Sequence, residues 1–209
     1  MKTMTTGSLR LTLVNQSNDA NNSTVLIFQR NAVAGPEETP VAWEVIENLG
    51  RGWTHVVNYE FDLAVGVTDS YGNASSQLPA APGQLFSVYS SAAGNEIKPV
   101  GSVPNNSSEI WIRNDLSAGA TSACIYRNGK LLATKTGVAP GQSAAFRFNP
   151  TIYIGALAQW QANPGQVLDS AILSTVNHQI SLAGITGAAT ILMSGGGPGR
   201  PFIFTLQPG

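Results

Sequence analysis

"GWTHVVNYEFDLAVG" (residues 52–66) returns later in the chain as "GQSAAFRFNPTIYIG" (residues 141–155). Each phrase opens on Gly, runs through an alternating strand, breaks briefly, and closes on a second apolar strand ending in Gly. In the first phrase Val57, Tyr59, Phe61 and Leu63 alternate with Asn58, Glu60 and Asp62. A period of two puts successive side chains on opposite faces, so one set faces a core and the other faces water.

The flanking sequence keeps that period. "SLRLTLVN" (8–15) alternates Leu9, Leu11 and Leu13 with polar neighbours, and "TVLIFQRN" (24–31) is continuously apolar at its start, as a central strand is. "IYRNGKLLATK" (125–135) reads as a hairpin, because Asn-Gly supplies the two positive-φ residues of a type I′ turn. Tyr71-Gly72-Asn73, Pro82-Gly83, Gly94-Asn95, Pro140-Gly141 and Pro164-Gly165 punctuate the remainder. No stretch sustains a 3.6-residue period. "TPVAWEVIENLG" (39–50) carries helix-start and helix-stop residues, yet it falls opposite the hairpin strand "LLATKTGVAP", so residues 41–46 are assigned to a strand.

More echoes follow in the same order. "SLRLTLVN" (8–15) matches "SEIWIRN" (108–114), "STVLIFQRN" (23–31) matches "SACIYRN" (122–128), and "PGQLFSVYSSAAGN" (82–95) matches "PGQVLDSAILSTVN" (164–177). They imply an internal duplication. The expected fold is an all-β, antiparallel β-sandwich built from two similar halves, about 8–100 and 108–186. Two strands at 188–207, without a counterpart in the first half, complete a single domain spanning 1–209. The inward set comprises Leu11, Leu13, Leu26, Val57, Tyr59, Phe61, Ile110, Ile112, Phe146, Phe148, Ile152 and Ile154.

Composition narrows the function. Charged residues are 11% of the 209, apolar residues 43%, and the net charge is −1. About 25% charged is typical of soluble domains. This surface therefore rests on Ser, Thr, Asn, Gln and Gly, which suit hydrogen bonding to neutral partners. No basic run exists to bind nucleic acid or an anionic membrane electrostatically. One cysteine, Cys124, excludes an intrachain disulfide and reads as a small buried hydrophobe. The first residues show no apolar signal-peptide core, and no run of 18 apolar residues occurs. The expected location is the cytoplasm, or outside the cell by a route without a Sec signal.

No catalytic motif stands out. Glu60 and Asp62, read as one strand face, have the spacing of a solvated face. His55 and His178 lack metal-ligand spacing, although the fold can bring them near Asp69, Asp169 or Glu96. No G-x-S-x-G elbow occurs, and "MSGGGPGRPF" lacks the P-loop lysine. No metal or cofactor is expected. The aromatics carry more information. Trp53, Tyr71 and Trp160 sit in loops rich in Asn, Asp and Gln. Trp111 and Arg113 alternate with Ile110 and Ile112 and so face outward. Loop aromatics beside amides stack a sugar ring while the amides bond its hydroxyls. These five residues are the expected ligand-binding set, in a non-enzymatic recognition module for a neutral glycan or a membrane surface. The architecture is similar to lectin-like and cytolysin-like sandwiches, without a motif of either. The alternatives are a self-assembling shell, fibre or capsid-like protein and an enzyme whose site is gathered from scattered residues. The outward Trp111 points to a homo-oligomer.

Overall fold

The structure, a computed structural model, describes residues 7–33, 38–103, 108–158 and 163–209. In chain order the elements are β1 (Ser8–Asn15), β2 (Thr24–Phe28), β3 (Glu38–Pro40), β4 (Glu44–Ile46), β5 (Thr54–Glu60), β6 (Leu63–Thr68), β7 (Leu78–Ala80), β8 (Gln84–Ser91), β9 (Gly94–Ser102), β10 (Ile110–Asn114), β11 (Thr121–Arg127), β12 (Lys130–Val138), β13 (Ser143–Phe146), β14 (Thr151–Leu157), α1 (Ser170–Thr175), β15 (His178–Ser181), β16 (Ala188–Gly195) and β17 (Phe202–Pro208). The fold is all-β, and the strands gather into four sheets. Among the described residues, pairing is antiparallel except for two parallel pairs, β1 with β16 and β8 with β10.

The sheets fall into two compact units, and the units are not the two halves of the sequence. One unit holds a sheet of order β17-β16-β1-β5 and a sheet of order β15-β14-β2-β4. Leu9, Leu11, Leu13, Val57, Tyr59, Ile152, Ile154, Ile191 and Met193 are buried in it. β2 is buried at every position, which accounts for its unbroken apolar run. The second apolar layer on Leu26 and Phe28 is built from Ala42, Leu168 and Val176, with Tyr153, Ile172 and Leu173 packed against it.

The other unit holds a sheet of order β13-β10-β8-β9 and a sheet of order β3-β12-β11-β6-β7. Phe86, Val88, Ile110, Ile112, Ile125, Leu132 and Phe146 are among its buried side chains. Asn128 (φ 54°) and Gly129 (φ 70°) make the expected two-residue turn between β11 and β12. Cys124 is buried, with its sulfur 3.7 Å from the hydroxyls of Thr68 and Thr134.

Four expectations are corrected. Of the inward set, ten are buried, but Phe61 is 37% exposed and Phe148 is only half-buried. Both lie just past the strand whose alternation was extended to reach them, since β5 ends at Glu60 and β13 at Phe146. For the same reason Glu60 and Asp62 do not share a strand face: Asp62 lies in the two-residue step to β6. Third, 164–177 is not a strand echo of 82–95. After its shared Pro-Gly turn it becomes α1, with Asp169 as N-cap accepting the Ile172 N–H at 2.9 Å. Fourth, the strands at 188–207 do have counterparts of like pairing in the first half, β8 and β9: both hairpins join their sheet through a parallel pair.

Candidate functional site

At the C-terminal ends of β6, β8 and β10, three connections enclose a cleft of about 570 Å³, within the size range of small-ligand sites, roughly 300–1,000 Å³. The first is the turn after β6. The Asp69 carboxylate accepts the backbone N–H groups of Tyr71 and Asn73, each at 2.9 Å, and the Asn73 side-chain amide at 2.9 Å. Gly72, at φ 88°, completes the reversal. So pinned, the turn presents Tyr71 to solvent at 89% exposure. The bonds from Asn73, and those from the Tyr71 and Gly72 backbone, hold Asp69 below the usual carboxylate range against the opposing effect of burial.

The second connection is the β8–β9 hairpin. Tyr89 donates its hydroxyl to Glu96 at 2.7 Å, and Ser91 donates to the other oxygen of the same carboxylate at 2.8 Å. Lys98 lies 4.5 Å from the centre of the Tyr89 ring. The shared hydrogen bond raises the Tyr89 hydroxyl and lowers Glu96. Ser90 and Asn95 line the cleft beside Tyr89.

The third connection follows β10. Arg113 reaches the Asp115 carboxylate through two nitrogens, at 2.6 and 3.0 Å, and the buried Ser87 hydroxyl donates to the same group. Chiefly through Arg113, Asp115 is held below its ordinary value. Behind it, Asn114 is fully buried. Its side chain donates to Gly119 O at 3.0 Å and Val138 O at 2.8 Å, and accepts the Leu116 N–H at 3.0 Å. One side chain therefore sets the shape of the 115–120 wall.

Two of the five expected ligand residues belong to this site. Tyr71 lines it, and Arg113 positions the lining Asp115. Trp111 is half-buried on the same strand and donates its indole N–H to Glu109 at 2.7 Å. Trp53, 66% exposed, lies in the turn before β5, in the other unit. Trp160 lies outside the described residues. Of the remaining candidates, His55 is exposed, His178 packs near Phe204, Asp169 caps α1, and among the described residues no cluster of His, Cys, Asp and Glu could hold a metal ion. The sequence reading missed Tyr89, Asn95 and Asp115 as lining residues. Asp115 directly follows the outward strand that drew attention to Trp111, and that adjacency was the available signal.

Comparison with known protein families, characterised proteins and solved structures found no match. Among the described residues, no helix is long and apolar enough to cross a membrane.

Proposed function

We propose that the chain is a non-enzymatic recognition module and that this cleft takes a neutral glycan. The observation that carries the reading is Tyr71, a fully projected aromatic on a turn pinned by its own aspartate, at the rim of a cleft with Tyr89, Asn95 and Asp115. An aromatic face supplies apolar contact for the C–H side of a sugar ring. Fixed carboxylates and an amide supply acceptors and donors for its hydroxyls, and hydrogen bonds to charged groups are the stronger kind. Asp69 and Asp115 are both held deprotonated, which suits them to accept hydroxyl hydrogen bonds. Glycoside hydrolysis instead needs one carboxyl with a raised pKa to deliver a proton. The pinned turn also lowers the ordering cost of binding.

A glycan array probed with the parent, Tyr71→Ala and Asp115→Asn tests the reading. Binding to neutral glycans that falls at least tenfold in both variants is the expected result. Equal binding by parent and variants would remove the cleft from consideration. A second reading, attachment to a membrane surface, is favoured by the exposed Trp53 and by Val56, 38% exposed, on the adjoining edge strand. Liposome flotation of Trp53→Ala beside the parent separates the two: loss of flotation in that variant alone supports the surface reading.

A further inference from the structure

The two units share more than a strand count. In the first, β1 is flanked by β5 and β16, with β17 outside; in the second, β10 is flanked by β13 and β8, with β9 outside. In the opposing sheets β14 joins β2 to β15 as β6 joins β11 to β7. Every pairing has the same sense in both: β1 with β5 and β10 with β13 are antiparallel, while β1 with β16 and β10 with β8 are parallel.

The register agrees as well. Leu13↔His55 and Leu11↔Val57 correspond to Ile112↔Ala144 and Ile110↔Phe146. Asn15↔Met193 corresponds to Asn114↔Val88, and Met193↔Phe204 to Val88↔Ile97. Leu26↔Gly155 corresponds to Cys124↔Gly66.

Individual bonds repeat too. Asn15 donates its amide to Leu49 O at 2.6 Å and accepts the Ser17 N–H at 2.8 Å, as Asn114 does with Val138 and Leu116. Gly52 N–H donates to Asn15 O, and Gly141 N–H to Asn114 O, both at 2.7 Å, and these glycines sit at φ 81° and 79°.

From this we infer that the chain is two tandem copies of one repeat that have exchanged halves. Each copy runs from a front half (β1, β2, β4, β5 in the first; β10–β13 in the second) to a back half (β6–β9; β14–β17). The front half of the first copy closes on the back half of the second, and the reverse holds in the other unit. β3 is an insertion of the first copy that adds a fifth strand beside β12.

The step from β5 to β6 explains why the copies do not close on themselves. In a self-closed first copy, β6 would take the place that β14 holds beside β2. β14 packs over β17, at the far edge of the sheet from β5. Crossing between stacked sheets and shifting three strands sideways is a path of about 17 Å. From Glu60 to Leu63 the chain reaches about 11 Å at most. A connection too short to turn back is the standard cause of exchange between like elements. The occupant of each half's open face is therefore the complementary half of the other copy, within the same chain.

The test uses the full chain carrying a specific protease site between Asn105 and Asn106, in the stretch joining the copies, with Thr12→Cys and Thr190→Cys, which are paired positions on β1 and β16, and with Cys124→Ser. After cutting and oxidation, the expected product migrates as one full-length band on a non-reducing denaturing gel and as two half-length bands after reduction. The uncrosslinked cut protein should also elute as one species of unchanged size. Two half-length bands under oxidising conditions, or cut halves that separate and melt independently, would overturn the inference. Expression of the chain already divided at that point keeps it falsifiable if the protease cannot cut: the halves must then co-purify in equal amounts, and separate folding of either sinks the exchange.

Discussion

Asn15 and Asn114 show at the residue scale how little of this fold depends on charge. Both are fully buried at strand ends, and both convert an irregular loop into a fixed one by bonding two or more backbone groups. Replacing either by Ala leaves buried carbonyls unpaired, which costs on the order of 2–4 kcal/mol. Asn114→Ala and Asn15→Ala should each lower the melting temperature by several degrees, and Asn114→Ala should also weaken ligand binding because it frees the 115–120 wall. Thermal melting with a binding titration reads both effects. A second residue-scale expectation concerns glycine. A Cβ at Gly155 would lie 2.7 Å from the Val176 backbone, whereas one at Gly66 would meet the edge of the Tyr126 ring at 3.1 Å. Gly155→Ala should therefore destabilise by about 1–3 kcal/mol, and Gly66→Ala by less, since a ring edge yields more easily than backbone. Equal losses in denaturant unfolding would contradict this.

At the scale of elements, the loop after β10 couples charge to shape. Asp115 is held below the ordinary carboxylate range by Arg113 and Ser87, so it favours the folded loop whenever it is ionised. A group with a depressed folded pKa contributes above its unfolded value and loses that contribution as the pH falls through its folded value. Glycan binding should stay level from neutral pH down to about 4, the ordinary aspartate range, and decline below it. Asp115→Asn should reduce that acid limb without removing it, because Asp69, which pins the Tyr71 turn, is likewise held below the ordinary range. Strands were the readable elements: "SLRLTLVN", "HVVNYE" and "IWIRN" each declare their buried face by alternation. α1 was not readable, because six residues are too few to establish a 3.6-residue period against the Pro-Gly turn that precedes them. The site was only partly readable for a different reason. Its walls come from three turns far apart in sequence, and only Tyr71 and Arg113 carry a local signal of exposure; Tyr89 sits mid-strand and looks like any other strand aromatic.

For the molecule as a whole, the echoes at 8–15 and 52–66 were visible because their strands keep like alternation, and that at 23–31 because both stretches run apolar into Arg-Asn, but which half closes on which was not. The path of the chain turns on the two-residue step at Phe61-Asp62, where no residue type announces a direction. Exchange of like halves makes a sharp expectation about stoichiometry, because it says which positions of the other unit correspond to the cleft. By strand register Arg113 corresponds to Val14, Asp115 to Gln16, Ser87 to Leu192 and Tyr89 to Ser194. The ion pair, its supporting hydroxyl and the ring beside it are all replaced by groups that cannot form them. Like architecture therefore does not imply a like site, and the chain should bind a single glycan. Isothermal titration of the best glycan from the array should give one site per chain, with its affinity at least tenfold weaker in Tyr71→Ala. Two sites of similar affinity, or an affinity unchanged by that substitution, would show that binding belongs to another feature and would remove the cleft as its seat.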